Sequence, residues 1–250
     1  MSNDWPLQPL GETGIQTGPC AWSAGLLTDA AEEIHRRPSL IVFDQRAEMT
    51  PDDAARVTKE LTGLPVLVVL REPAFARYLT ASIKDWLSAL GRSSIDLVAL
   101  ELDEIRDLKA GGLVQPLVDA RARGEIGAYG FVGETANDAE WLALNTSGRF
   151  VMTSYGLENQ TAAYRALATA SEYGMAVISE SGPEGLQADP RATAFALAQA
   201  AKALPIRTRL LPAGIKPMSP EDCDEAWASY ALKHPEPEKL PRGRPPASTG

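Results

Sequence analysis

The chain has 250 residues, 44% hydrophobic and 23% charged, with 24 basic against 33 acidic side chains and a formal net charge of −9. That length and apolar content suit one domain of the (β/α)8 kind, and the acidic balance argues against the broad basic surface that duplex nucleic acid or an anionic membrane requires. Cys20 and Cys223 lie far apart without C-x-x-C spacing, so neither a disulfide framework nor a zinc site is expected.

In chain order, Met1–Leu10 carries no basic segment followed by an apolar core, and no apolar run approaches the ~18 residues that span a bilayer, so a cytoplasmic protein is expected. Short β-rich runs then alternate with stretches of helical spacing, the pattern of a parallel sheet covered by helices. The predicted strands are Cys20–Ser23, Leu40–Phe43, Val66–Leu70, Leu97–Leu100, Ala128–Phe131, Phe150–Ser154, Ala176–Ser179 and Arg209–Leu211. Between and after them, helices are predicted near 28–37, 51–62, 74–90, 112–123, 136–144, 160–173, 190–203 and 219–232. Thr50-Pro51-Asp52-Asp53 and Ser219-Pro220-Glu221-Asp222 each place a capping hydroxyl ahead of an N1 proline and first-turn acids. Eight βα units favour closure into a barrel. An open doubly wound sheet is the structural rival, but no strand leads into a G-x-G-x-x-G turn. The barrel is assigned to residues 1–233. Residues 234–250 contain five prolines and no apolar periodicity and read as a disordered or extended tail. Within it, Pro241-Arg242-Gly243-Arg244-Pro245 has the form of a minor-groove-binding hook, or of a proline-rich ligand for a partner; a single copy on an acidic body disfavours nucleic acid.

Several segments carry a family resemblance in a shared order. Leu10-Gly11-Glu12-Thr13-Gly14-Ile15 is similar to an L-G-x-T-G-L opening hairpin, and Leu90-Gly91-Arg92-Ser93-Ser94-Ile95-Asp96-Leu97 to an L-G-x-x-x-I-D-L fourth strand. Arg123-Gly124-Glu125-Ile126-Gly127-Ala128-Tyr129-Gly130 resembles a G-K-I-R-x-I-G passage, Tyr173-Gly174-Met175-Ala176-Val177-Ile178 an H-G-I-x-V-I strand, and Leu211-Pro212-Ala213-Gly214 an I-P-G turn. Any barrel needs glycine where helices stop and β-branched residues in strands. That explains each segment singly but not their order. The chain resembles the aldo-keto reductases, which implies a (β/α)8 TIM barrel with its site at the C-terminal ends of the strands.

In that family a tyrosine donates a proton to a carbonyl reduced by NADPH, with an aspartate, a lysine and a histidine in support. Carried over by the resemblance, Asp44 matches the aspartate, and the tyrosine five residues later is Met49, whose thioether has no transferable proton. Arg71 falls near the lysine place and keeps the charge without being equivalent to an ammonium, and Glu101 stands at the histidine place. Gly130-Phe131-Val132-Gly133 replaces the G-V-S-N end that holds the nicotinamide carboxamide, and Glu180 replaces the stacking aromatic ring. Gly214 and Lys216 retain the glycine and cation of a phosphate-binding turn.

Asp44, Glu101, Glu134, Glu158 and Glu180 are all expected at or just beyond strand ends, with Arg71 and Lys216 as the nearby cations. A mouth of that charge disfavours a diphosphate, so no cofactor is expected and NADPH is the alternative. Such a ring reads either as a site for a cation, an amine or a basic peptide, or as the ordinary acidity of exposed loops in an acidic protein. No metal-binding spacing is present. The glycines of Ser181-Gly182-Pro183-Glu184-Gly185 fit either a ligand loop or a plain turn. His35 and His234 do not resemble catalytic bases, and Cys20 is expected to be packed. The resulting expectation is a barrel acting as a binding or regulatory subunit for a protein partner, with a small ligand at its mouth as a further option. The alternatives are an NAD(P)H-dependent oxidoreductase with a relocated donor, for which Tyr155 is the candidate, and a non-redox enzyme using Asp44 and Glu101 for acid–base work.

Overall fold

A computed structural model of the chain describes residues 7–18, 20–24, 40–45, 48–57, 63–71, 76–101, 112–133, 141–142, 144–154, 170, 172–180 and 206–211. A hairpin of β1 (Gln8–Pro9) and β2 (Gln16–Thr17) comes first. Eight parallel strands follow: β3 (Cys20–Ser23), β4 (Leu40–Asp44), β5 (Val66–Arg71), β6 (Ile95–Glu101), β7 (Ile126–Gly133), β8 (Phe150–Ser154), β9 (Ala176–Glu180) and β10 (Ile206–Leu211). They pair in chain order, and β10 returns to pair with β3, closing the barrel. The described helices are α1 (Pro51–Val57), α2 (Ala76–Leu90) and α3 (Val114–Ala122). The eight predicted strands are all present, most of them extended by a residue or more. The helices predicted at 28–37, 190–203 and 219–232, and the 234–250 tail, lie outside the described residues.

Alternation along the strands builds two apolar layers. Leu40 and Val42 of β4, Leu67 and Val69 of β5, and Leu97 and Ala99 of β6 point inward with Ala128, Phe150, Met152, Ala176 and Ile178. Their outward neighbours, among them Ile41, Phe43, Val68 and Leu100, meet Leu79, Ile83, Trp86 and Leu90, which recur at helical spacing on α2. Because both faces of β4, β5, β6 and β7 are buried along most of their length, these strands read as near-continuous apolar runs.

The floor of the barrel is closed by the hairpin. Leu10, fully buried, joins the inner layer, and Thr13 Oγ1 donates to the Leu10 carbonyl at 2.7 Å while the Leu10 N–H donates to Ile15 O at 2.9 Å. Glu12 pairs with Arg149 ahead of β8, and a side chain at Gly11 would fall 2.7 Å from the Ala176 nitrogen. The L-G-x-T-G segment is therefore a plug.

Candidate functional site at the barrel mouth

The inward alternation reaches the C-terminal ends of three adjacent strands and delivers a charged residue on each. After Leu40 and Val42 comes Asp44, after Leu67 and Val69 comes Arg71, and after Leu97 and Ala99 comes Glu101. The strand register sets Asp44 opposite Val69 and Arg71 opposite Glu101. Asp44 is only 7% exposed. The Arg71 guanidinium approaches Glu101 at 3.8 Å (Nε to Oε2), with the arginine side chain 60% exposed and the glutamate 16%. A pair this open to water is held loosely, whereas the two carboxylates sit back from the solvent.

Two features of this corner were not read from the sequence. Gln45 Oε1 accepts the Arg71 main-chain N–H at 3.1 Å, tying the end of β5 to the turn after β4 and fixing where Arg71 begins. Arg71 is also directly paired with Glu101, which follows once each is the last residue of its strand; predicted strands ending at Leu70 and Leu100 concealed that register. Met49 returns toward the same corner, its N–H donating to Asp44 O at 3.3 Å after a left-handed Glu48 (φ 59°). Its side chain is half-buried against the outer apolar layer, between the barrel and its helices.

Glu180 ends β9, where it pairs with Ser154. Glu134, Tyr155, Glu158, Gly214 and Lys216 lie outside the described residues, as does the Ser181–Leu186 loop. On the β7 side the mouth ends in Val132 and Gly133, both buried and neither with a hydrogen-bonding side chain. No group of three or more His, Cys, Asp or Glu side chains among the described residues is arranged to hold a metal, and no helix there is long and apolar enough to cross a membrane.

A closed eight-stranded barrel with a hairpin plug can be compared directly with known folds. The chain is similar to a Pseudomonas aeruginosa protein provisionally assigned as an aldo-keto reductase, at 20% identity and TM-score 0.67 over 90% of this chain and 96% of that one. The holo form of an aldo-keto reductase from Bacillus halodurans gives 15% identity and TM-score 0.66 over 89% and 95%. An aldo-keto reductase from Klebsiella pneumoniae in complex with NADPH gives 12% and 0.67 over 92% and 95%. The fold is that of the aldo-keto reductases. No protein-family profile matches the chain, and no curated protein matches it significantly in sequence. At these identities the likeness carries architecture alone. Asp44, Arg71 and Glu101 lie at the C-terminal face of the barrel, the face on which (β/α)8 enzymes in general build their sites.

Proposed function

We propose that this chain is an aldo-keto-reductase-like barrel that does not carry out the family's carbonyl reduction and works as a binding or regulatory subunit, in the cytoplasm, for a protein partner. The observation that carries this is the corner around Asp44. Reduction there needs an ionisable hydroxyl beside the aspartate with a cation to tune it; residue 49 is a thioether packed into apolar surroundings, and the cation at 71 is a mostly exposed guanidinium, not equivalent to an ammonium in tuning a proton donor. NADPH fits poorly. Val132 and Gly133 offer no side chain to a carboxamide, and Asp44 and Glu101 oppose one guanidinium at a mouth that a diphosphate would have to approach. The barrel is taken as residues 1–233, with 234–250 as a tail available to the partner.

Fluorescence titration with NADPH, followed by an NADPH-consumption assay across aliphatic and aromatic aldehydes, tests the reading. Neither saturable binding nor turnover above the buffer rate is expected. Robust turnover of any aldehyde would overturn it, and a phenol from outside the described residues, with Tyr155 as the first variant to make, would then be the donor.

A second reading is favoured by the shielding of Asp44 and Glu101 on strands either side of Arg71. Two carboxylates of unequal exposure can divide acid and base roles on a non-redox substrate. If such turnover is found, Glu101→Gln abolishes it; unchanged turnover removes Glu101 from the assignment.

A further inference from the structure

A cleft of about 360 Å³ opens on the outer wall where α3 lies over β7, lined by Val118, Arg121, Ala122, Tyr129 and Ser147. Val118, Arg121 and Ala122 are spaced i, i+3, i+4 and so share one face of α3, beside the Leu117 and Ala120 positions that pack inward. Arg121 and Ser147 are exposed, and Val118 is 38% exposed. Tyr129 is 1% exposed, its ring edge-on to Phe131, and its hydroxyl makes a short hydrogen bond with Ser147 Oγ.

Arg121 differs from the other arginines whose side chains are described. Arg56, Arg71, Arg92, Arg123 and Arg149 each meet a carboxylate, and Arg77 lies over the Tyr78 ring. Among the described residues Arg121 has no ion pair. It lines instead a concave surface that also carries Ser147, whose hydroxyl bonds the buried Tyr129 phenol. Either hydroxyl of this pair can donate to the other; with the phenol as donor, the serine keeps its own O–H for a second partner.

We infer that this cleft binds a small organic carboxylate. The guanidinium fork receives both carboxylate oxygens, Ser147 donates to one of them, and Val118 and Ala122 cover a short apolar body. A monoanion is favoured over a phosphate dianion, because Arg121 is the one cation among the described residues that line the cleft, on a protein of net charge −9. The volume is at the low end for small-molecule pockets and limits the body to about one ring or a branched chain. The site is separate from the mouth and does not rest on the function proposed for it.

The test is a calorimetric and NMR titration of the full chain with benzoate, alongside benzyl alcohol and inorganic phosphate. Benzoate is expected to saturate, with benzyl alcohol not binding and phosphate binding less tightly. Arg121→Ala should weaken benzoate by about ten-fold or more, with Arg121→Lys intermediate, since lysine supplies the charge without the fork. Ser147→Ala should weaken it less. Arg121 is exposed, so its variants keep the wild-type melting temperature, whereas Ser147→Ala removes the partner of the buried Tyr129 hydroxyl and is expected to lower it. Absence of saturation, equal binding of benzyl alcohol, tighter binding of phosphate, or an Arg121→Ala variant that binds as wild type would each overturn the assignment.

Discussion

Gly130 shows how tightly single positions are constrained in the barrel interior. It sits on the inward face of β7 between Ala128 and Val132, and a Cβ there would fall 2.3 Å from the Phe150 carbonyl oxygen and 2.6 Å from its ring. The missing side chain is the space that the Phe150 ring fills. Gly130→Ala is expected to destabilise by about 1–3 kcal/mol or more, read as a lower urea midpoint at unchanged slope. A wild-type midpoint would mean that the ring moves aside freely. Thr50 and Asp53 give a residue-scale prediction of another kind. Thr50 Oγ1 and N–H both bond the Asp53 carboxylate, at 2.7 and 3.0 Å, and Asp53 N–H donates back to Thr50 Oγ1 at 3.3 Å, a reciprocal cap on α1. These bonds, the side-chain one first, hold the Asp53 carboxyl below its ordinary value of 3.8. A carboxyl that binds its proton less readily when folded contributes stability above that value and loses it as acid protonates the folded form. Asp53→Asn should therefore lower the melting temperature at neutral pH, and the gap to wild type should close as acid takes the pH below 3.8 and protonates the folded form. A gap independent of pH would exclude the charged cap as its cause.

At the level of elements, the segment Gly91–Leu97 shows what a motif residue does when it is structural. Asp96 Oδ2 accepts the Val66 N–H at 2.9 Å and Arg92 Nη1 at 3.2 Å, and Arg92 reaches on to the Leu64 carbonyl at 3.1 Å. The pair thus ties the entry of β5 to the entry of β6 on the floor side. Asp96→Ala leaves the Val66 N–H without its acceptor and should cost about 1–3 kcal/mol, while Asp96→Asn keeps an acceptor and should cost less. Equal losses for the two would show that charge, not the bond to Val66, dominates. All eight strands were legible in the sequence, and β4 to β7 most clearly, because strands buried on both faces leave continuous apolar runs such as Val66–Leu70. The last residues of β4, β5, β6, β7 and β9 were not. Asp44, Arg71, Glu101 and Glu180 are polar, so a reading by apolar content stopped one residue early, although each continues the strand pairing. The candidate site sits in that final residue. Its residues could be named by resemblance, but the Arg71–Glu101 pairing and the Gln45 tie depend on register between strands far apart in sequence, for which composition carries no signal.

Across the whole molecule, the two ends of the barrel do different work. The floor is plugged by the fully buried Leu10 and its hairpin and laced by the Glu12–Arg149 and Arg92–Asp96 pairs, and the mouth carries inward charge at the ends of β4, β5 and β6 with an exposed arginine at its edge. Stability and ligand recognition should therefore separate along the barrel axis. Leu10→Ala removes a fully buried side chain from the inner layer and should cost about 2–5 kcal/mol, because the surrounding strand entries are held by hydrogen bonds and cannot collapse onto the void. Arg71→Ala removes a mostly exposed partner of a loose pair and should change stability by about 0–1 kcal/mol. Denaturant unfolding of the two variants beside wild type checks the contrast. If Arg71→Ala proved as costly as Leu10→Ala, the Asp44–Arg71–Glu101 corner would be a structural brace, and the mouth would lose its standing as the place where this barrel meets its ligand or partner.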